Sequence, residues 1–219
     1  MARLIAIGDI HGQARKLALL LEQVHPTDRD QLVLLGDYID RGPDSHGVIE
    51  QLLQLRADLP RTVFLRGNHE LMLLNALVET SFHELMPSSG LESYSNLQLY
   101  LFNGGHATLA SYEVQGLGEL PEEHLAFIRQ TRLYFRKDGF LFVHAGARND
   151  MPLEQQDEYT LLWERHSAPG ENEVHVVGHT PTADGLPLFE AGRYSLDTGA
   201  GFGGSLTACE VNTRQIWQI

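Results

Sequence analysis

Short apolar runs predict five β-strands, and each run leads into a loop that combines glycine with a polar side chain. The runs cover residues 4–7, 31–35, 62–65, 140–143 and 174–177. Apolar residues at helical spacing follow the first three runs, at 13–24, 45–55 and from 70 onward. Strands that alternate with helices favour a parallel, right-handed βαβαβ half, in which the three loops meet at one edge of the sheet.

The second half of the chain is richer in hairpin signals. Tight-turn residues at 137–139, 191–193 and 212–214 separate short strand-like runs. This half is expected to build a second sheet that packs on the first. The predicted fold class is therefore α/β, with two mixed sheets forming a sandwich and helices outside.

Residues 76–132 break the strand and helix alternation. Turn chemistry at 86–90 and 103–105 separates polar helical stretches there. We interpret this segment as a cap-like insertion. With 219 residues and 42% hydrophobic content, the chain is expected to form one domain over 1–219.

Composition restricts the classes of partner. The formal charge of −13 opposes long-range attraction to nucleic acid or to an anionic membrane. The single cysteine, Cys209, precludes an intrachain disulfide. No stretch approaches the roughly 20 apolar residues of a membrane span, and the first residues lack the apolar core of a signal peptide. A cytoplasmic protein is expected.

Metal-ligating side chains lie directly after the strands. The candidate ligands are Asp9, His11, Asp37, Asn68, His144 and His179. Mixed oxygen and imidazole ligands suit two borderline divalent ions if Asp37 bridges them, whereas calcium prefers oxygen alone and structural zinc prefers cysteine. Two ions about 3.5–4 Å apart can generate hydroxide between them and stabilise displacement at phosphorus. The sequence therefore predicts phosphoester hydrolysis by direct attack of a metal-bridging hydroxide.

Three further residues fit the same reaction. Arg41 can bind non-bridging phosphate oxygens through its planar guanidinium. His69, next to Asn68, is free to protonate the leaving alkoxide, and Asp40 can orient its imidazole. Any one histidine at a strand end is more often structural, and Gly-Asp alone is ordinary turn chemistry, but five strand ends with one or the other favour a shared site.

Taken together, the motifs GDIHG, GDYIDRGPDS, GNHE, HAG and GHT, in this order, resemble those of the metallophosphoesterases of the phosphoprotein phosphatase superfamily, which have the calcineurin-like fold. The resemblance implies that Asp9, His11 and Asp37 hold one ion, and that Asp37, Asn68, His144 and His179 hold the other. It also implies that His69 is the general acid paired with Asp40, and that Arg41 binds phosphate. A second phosphate-binding arginine is expected at Arg165, in the segment Leu162-Trp163-Glu164-Arg165.

Two branches of this superfamily are similar to the chain. One contains small bacterial and phage protein phosphatases that act on phosphoserine, phosphothreonine and sometimes phosphotyrosine. The other contains symmetrical bis(5'-nucleosyl)-tetraphosphatases, which hydrolyse diadenosine tetraphosphate. The length of the chain favours the phosphatase, because the dinucleotide hydrolases are longer at the carboxyl terminus.

The same resemblance implies manganese as the metal, although iron or zinc would fit the ligands. The expected partner is a phosphorylated protein or a small phosphorylated substrate, and no regulatory subunit is implied. A non-catalytic phosphate-binding protein is the alternative from a different class.

Overall fold

A computed structural model describes residues 2–85, 95–165 and 172–219. Its strands are β1 (Leu4–Ile7), β2 (Gln31–Leu34), β3 (Val63–Phe64), β4 (Tyr134–Lys137), β5 (Phe140–Val143), β6 (Val174–Val177), β7 (Leu188–Glu190), β8 (Arg193–Ser195), β9 (Thr207–Glu210) and β10 (Gln215–Gln218). They form two five-stranded sheets, with strand orders β10-β9-β1-β2-β3 and β4-β5-β6-β8-β7. The predicted fold class, two mixed sheets flanked by helices, is confirmed.

Helices cover the outer faces and the connections between strands. The α-helices are α1 (Ala14–Val24), α2 (Ser45–Asp58), α3 (Asn68–Leu85), α4 (Ser95–Tyr100), α5 (His106–Ser111), α6 (Glu122–Arg129) and α7 (Glu158–Trp163). One π-helical turn spans Leu101–Gly105, and 3-10 turns span Leu117–Glu119, Leu153–Gln155 and Ala200–Phe202. No helix within the described ranges is long and apolar enough to cross a bilayer.

The first half of the chain forms the parallel unit that its pattern predicts. β1 pairs in parallel with β2, and β2 with β3. The expectation that the whole second half builds the second sheet is wrong for its last hairpin. β9 instead pairs antiparallel with β1, with Ala6 opposite Cys209, and β10 pairs with β9. This pairing provides hydrogen-bond partners for the backbone N–H and C=O groups on the edge of β1 that faces away from β2.

An apolar layer lies between the two sheets. Leu4 and Ala6 of β1 enter this layer from one side, while Phe142 of β5, Val176 of β6 and Leu196 enter it from the other. All of these side chains are buried. The alternation of side chains along each strand therefore places every second residue between the sheets.

Helices bury the remaining faces of both sheets. Ile5 and Ile7 of β1 point away from the sheet interface and join the same cluster as Leu17 of α1 and Leu52 of α2. On the opposite side of the molecule, Leu161 of α7 packs with the outward residues of β5 and β6. The architecture is thus helix, sheet, sheet, helix.

Residues 76–132 contribute the end of α3, the helices α4 to α6 and the turns between them. Leu117, Leu125 and Phe127 of this segment are buried in the cluster beneath the first sheet. The predicted turn at 103–105 coincides with the π-helical turn, where Gly104 has a φ of 112°. The predicted turn at 86–90 lies outside the described residues. A single domain with a cap over 76–132 stays a prediction.

The loops after β2 and β3 are joined by one buried carboxylate, that of Glu70 in the first turn of α3. It accepts hydrogen bonds from the backbone N–H groups of Asp37 at 2.9 Å, Tyr38 at 2.8 Å and Gly67 at 2.9 Å. Burial and the nearby charge of Asp37 raise the pKa of Glu70 to about 7, although the N–H groups of Tyr38 and Gly67 oppose that rise. Glu70 therefore fixes the spacing of two loops at the carboxyl edge of the sheet.

Replacing Glu70→Gln is expected to destabilise the protein by about 1–3 kcal/mol, because an amide NH₂ then faces buried N–H donors. Urea unfolding at pH 8, above the pKa of Glu70, measures this cost. Glu22→Gln on the exposed side of α1 is the control and should change stability by less than about 0.5 kcal/mol. An unchanged midpoint for Glu70→Gln would contradict the role assigned to this carboxylate.

Candidate active site

The residues that the sequence singles out lie in loops with an unusual backbone. Five of them adopt left-handed φ angles, a region that non-glycine residues rarely occupy. They are His11 (46°), Asp37 (51°), Asp40 (73°), Arg41 (65°) and His179 (64°). Such conformations persist where the surrounding structure holds them, and they cluster at functional sites. The backbone itself thus marks these loops as candidates.

Asp37 lies at the centre of the buried polar cluster. The Nε2 atom of His11 is 3.4 Å from Asp37 Oδ2, and the Nε2 atom of His144 is 3.5 Å from Asp37 Oδ1. The Nε2 atom of His69 is 3.9 Å from Oδ2. A Cβ at Gly67 would lie 2.1 Å from Oδ1, so only glycine lets the loop after β3 approach this carboxylate. Both oxygens of Asp37 therefore face imidazole nitrogens.

Backbone carbonyls fix the tautomers of two of these histidines. His11 Nδ1 lies 2.9 Å from the carbonyl oxygen of Ile39, and His144 Nδ1 lies 2.8 Å from that of Leu35. A carbonyl can only accept, so each Nδ1 carries the proton. Burial lowers the pKa of both imidazoles, that of His11 to about 3, so they are neutral. Each Nε2 consequently presents a lone pair toward Asp37, as a metal-ligating histidine does.

Asn68 and His179 complete the other side of the cluster. The Oδ1 atom of Asn68 lies 3.0 Å from His144 Nε2 and 2.9 Å from His179 Nδ1. The Nε2 atom of His144 and the amide oxygen are both electron-pair donors, and a cation between them stabilises such an arrangement. The pKa of His179 is lowered to about 3, mainly by burial and secondly by its proximity to His144. The buried Nε2 atom of His179 has no hydrogen-bond partner.

Asp9 is buried at the margin of this cluster. Its two carboxylate oxygens accept hydrogen bonds from the backbone N–H of His179, at 3.0 and 3.2 Å. Burial and the neighbouring charge of Asp197 raise its pKa well above the usual range. Among the described residues, His11, Asp37 and His69 have ligand atoms that all lie within 4.8 Å of one another. Asp9 belongs to no such group in the described part of the chain. Its role as a ligand stays a prediction.

Arg41 lies across the opening of the cluster. Its Nη1 donates to His11 Nε2 at 2.6 Å, and its guanidinium lies 4.6 Å from the centroid of the exposed Phe202 ring. Because His11 Nε2 has one lone pair, it can accept from Arg41 or bind an ion, but not both. Arg165 is exposed, and its charge contributes to the lowered pKa of His179. A role for Arg165 in phosphate binding stays a prediction.

His69 and Asp40 form a buried dyad beside Asp37. His69 Nδ1 lies 2.7 Å from Asp40 Oδ2, while His69 Nε2 is buried and has no hydrogen-bond partner. Burial lowers the pKa of His69, but the charge of Asp37 and the hydrogen bond to Asp40 outweigh it, so the net shift is upward. Unlike His11 and His144, this imidazole favours its protonated form.

Two hydroxyls hold Asp40 in place. Thr108 Oγ1 donates to Asp40 Oδ1 at 2.6 Å. The backbone N–H of Asp40 lies 3.0 Å from both Ser45 Oγ and Thr108 Oγ1, which also contact each other. Thr108 belongs to α5, in the segment 76–132, so that segment takes part in positioning the dyad.

The predicted residues Asp37, Asn68, His11, His144, His179, His69 and Asp40 thus meet in space, with Asp9 and Arg41 at their margin. Glu70, Ser45 and Thr108 also contact the cluster, and residue types and spacing do not predict their roles. Glu70 and Ser45 do lie within the motifs GNHE and GDYIDRGPDS. Asp197 accepts from the N–H of Gly199 at 2.9 Å, as a turn residue does, and is also buried beside Asp9.

The donors of the cluster suit borderline divalent metal ions. Neutral imidazoles are the form that binds a metal, and they lie around a carboxylate whose pKa is held below its usual range despite burial. Burial alone would raise that pKa, whereas positive charge beside the carboxylate, on His144 and the other imidazoles when they are protonated or on a bound cation, lowers it. Burial and the nearby carboxylates of Asp197 and Asp37 raise the pKa of Asp9, and a bound cation would favour its ionised form.

Comparison with known proteins gives a consistent result. The sequence model of the family described as calcineurin-like phosphoesterase matches residues 2–202. The asymmetrical bis(5'-nucleosyl)-tetraphosphatase PrpE of Bacillus thuringiensis (strain Al Hakam) is 28% identical, over 92% of this chain and 87% of that protein. Serine/threonine-protein phosphatase 1 of Salmonella typhimurium (strain LT2) is also 28% identical, over 94% of this chain and 90% of that phosphatase.

A solved structure shares the fold. The crystal structure of a candidate diadenosine tetraphosphatase superposes with a TM-score of 0.72 at 22% identity, over all of this chain and 93% of that one. Metallophosphoesterases use a dinuclear divalent metal site, and the cluster around Asp37 fits one. The match over 2–202, together with the order of the motifs, shows that the chain belongs to the calcineurin-like phosphoesterases, the metallophosphoesterase hydrolases.

Proposed function

We propose that this metallophosphoesterase hydrolyses phosphoserine and phosphothreonine monoesters in proteins. The observation that carries the proposal is the buried dyad of His69 and Asp40, 2.7 Å apart, beside Asp37. An alkoxide is a poor leaving group, and a positioned acid is the usual solution for it. The similarity to serine/threonine-protein phosphatase 1 over nearly the whole chain supports this class of substrate.

In this proposal seven contacts would come from six side chains, because Asp37 serves both ions. One ion would be held by Asp9, His11 and Asp37, and the other by Asp37, Asn68, His144 and His179. When bound, the two ions act as Lewis acids on the phosphoryl group and lower the pKa of water, so that hydroxide is available at neutral pH. Manganese is the proposed metal, and iron or zinc would suit the same donors.

His69 would act as the general acid. Asp40 accepts from Nδ1 and thereby orients the ring, so the proton to be delivered lies on Nε2. Thr108 donates to the other oxygen of Asp40, which prevents the carboxylate from rotating away. Because Nε2 faces Asp37 rather than bulk water, its proton is directed into the metal-ligand cluster, where the leaving oxygen would lie.

Arg41 would bind the non-bridging oxygens of the phosphoryl group. Its guanidinium is partly exposed at the margin of the cluster and is supported on one side by Phe202. Leaving His11 Nε2 frees the Nη1 donor for a phosphate oxygen, with the fork geometry that suits oxyanions. Arg165, whose charge contributes to the lowered pKa of His179, would supply the second cation.

Bis(5'-nucleosyl)-tetraphosphates are the second candidate substrates, and exposed aromatic side chains favour them. Phe202 is 69% exposed beside Arg41, and Tyr159, 71% exposed, stacks on Trp163 with ring centroids 6.1 Å apart. The Trp163 ring in turn contacts His179. Aromatic rings of this kind can stack on nucleobases, and the relative from B. thuringiensis is named for such a substrate.

A substrate panel separates the two candidates. Phosphoserine and phosphothreonine peptides, a phosphotyrosine peptide and diadenosine tetraphosphate are assayed with the manganese-loaded enzyme. We expect a higher kcat/KM for the phosphoserine and phosphothreonine peptides. A preference for the dinucleotide would reject the protein phosphatase, and its products would then identify the cleavage. Two ADP molecules indicate symmetrical cleavage, whereas ATP and AMP indicate the asymmetrical reaction.

His69→Asn is expected to lower kcat for p-nitrophenyl phosphate or a phosphopeptide by roughly 10²- to 10⁴-fold, because the proton donor is lost. Bound metal, measured by elemental analysis, should be unchanged. His25→Asn removes an exposed imidazole at the end of α1 and serves as the control. If the wild-type protein binds phosphate but is no faster than His69→Asn, the chain is a non-catalytic phosphate-binding protein.

Asp37→Asn is expected to lose bound metal, because the shared carboxylate contributes charge to both ions. Equilibrium dialysis against Mn²⁺ should show a fall from about two equivalents per chain to less than one. Asp28→Asn, an exposed residue in the loop before β2, is the matched control. Unchanged metal content in Asp37→Asn would refute the bridging role.

A further inference from the structure

A second group of metal-ligating side chains lies away from Asp37, where α2 faces α6. His46 and Glu50 are one helical turn apart on α2, and His124 lies in the first turn of α6. Their ligand atoms all lie within 4.8 Å of one another. The His124 side chain is buried, whereas those of His46 and Glu50 are about half exposed. The group is therefore both anchored and accessible from solvent.

The spacing of these atoms matches a tetrahedral site. Glu50 Oε1 is 3.1 Å from His124 Nε2 and 3.6 Å from His46 Nε2. Zinc bonds of about 2.0–2.1 Å to nitrogen and oxygen place two ligand atoms of a tetrahedron about 3.3 Å apart. The two observed distances fall on either side of that value. The third pair of ligand atoms, those of His46 and His124, lies within 4.8 Å, so side-chain movement is needed to bring all three atoms to one ion.

A hydrogen bond orients the buried ligand. The hydroxyl of Tyr112 lies 2.7 Å from His124 Nδ1. When Nδ1–H donates to this oxygen, the lone pair lies on Nε2 and can bind a cation. Without an ion, Nε2–H donates to Glu50 Oε1 at 3.1 Å. A polar partner on the second ring nitrogen is characteristic of metal-ligating histidines.

We propose that His46, Glu50 and His124 form a zinc site, separate from the cluster around Asp37, in which water occupies the fourth position. Two imidazoles and one carboxylate are a ligand set that zinc accepts. Because its ligands come from α2 and α6, a bound ion would add a link between helices that already share the hydrogen bond between Glu50 and His124.

The site is connected to the part of the fold that positions Asp40. The backbone N–H of His46 donates to Ser111 Oγ at 2.9 Å, at the end of α5. The preceding residue, Ser45, contacts Asp40 and Thr108. An ion on α2 would therefore stabilise the start of this helix together with α5. Without an ion, the contacts among His46, Glu50 and His124 are those of a hydrogen-bonded cluster in which Glu50 accepts from His124. The experiment below distinguishes a zinc site from such a cluster.

Metal stoichiometry tests the proposal. The wild-type chain and His46→Gln are dialysed to equilibrium against the same low concentration of Zn²⁺, and zinc and protein are quantified. We expect the wild type to hold one equivalent more than His46→Gln. Glu50→Gln, also at an exposed position, should lose the same equivalent, and His124→Gln provides a third test if it folds. The measured quantity is a difference between proteins, so it does not depend on the occupancy or activity of the cluster around Asp37.

A control variant and a stability measurement complete the test. His25→Asn removes an exposed imidazole elsewhere and should retain the wild-type zinc content. Zn²⁺ should raise the Tm of the wild type by more than that of His46→Gln, because a ligand that binds only the native state stabilises it. Equal zinc content in the wild type, His46→Gln and Glu50→Gln overturns the proposal and identifies the group as a hydrogen-bonded cluster.

Discussion

The structure depends on keeping one buried carboxylate, that of Asp37, ionised. An isolated buried carboxylate would be protonated, because burial strongly disfavours the charged form. Around Asp37, however, the loops bring several histidines and the backbone N–H of His69 within a few ångströms, and the net pKa shift is downward. The parallel arrangement of β1, β2 and β3 makes this possible, because the loops that carry these groups emerge at one edge of a sheet.

Neighbouring histidines take different protonation states in response to their surroundings. His11 and His144 hydrogen-bond to carbonyl oxygens and are neutral, whereas His69 hydrogen-bonds to the carboxylate of Asp40 and favours its charged form. The amino-acid type is the same, so the second ring nitrogen and its partner decide the behaviour. A single fold can thereby present both lone pairs for metals and a proton for a leaving group.

Much of this arrangement could be predicted from the sequence, because the pattern of strand, glycine and polar residue has a direct geometric meaning. The loops after β1, β2 and β3 had to meet once the sheet was parallel. Membership of β9 and β10 in the first sheet could not be predicted in this way, since a hairpin signal does not indicate which sheet edge it joins. The positioning roles of Glu70 and Thr108 also depend on tertiary contacts that residue spacing does not reveal. Asp197 shows how a turn residue can also be buried beside the site.

The hydrogen bond between Arg41 and His11 has a thermodynamic consequence. One nitrogen cannot serve a guanidinium and a cation at the same time, so occupation of His11 Nε2 releases Arg41 for an oxyanion. Linkage is reciprocal, and an anion that holds Arg41 away from His11 must strengthen cation affinity at that nitrogen by the same factor. With a cation on His11 and an oxyanion on Arg41, the imidazole and the guanidinium would form a coupling element in which cation and anion affinities rise together.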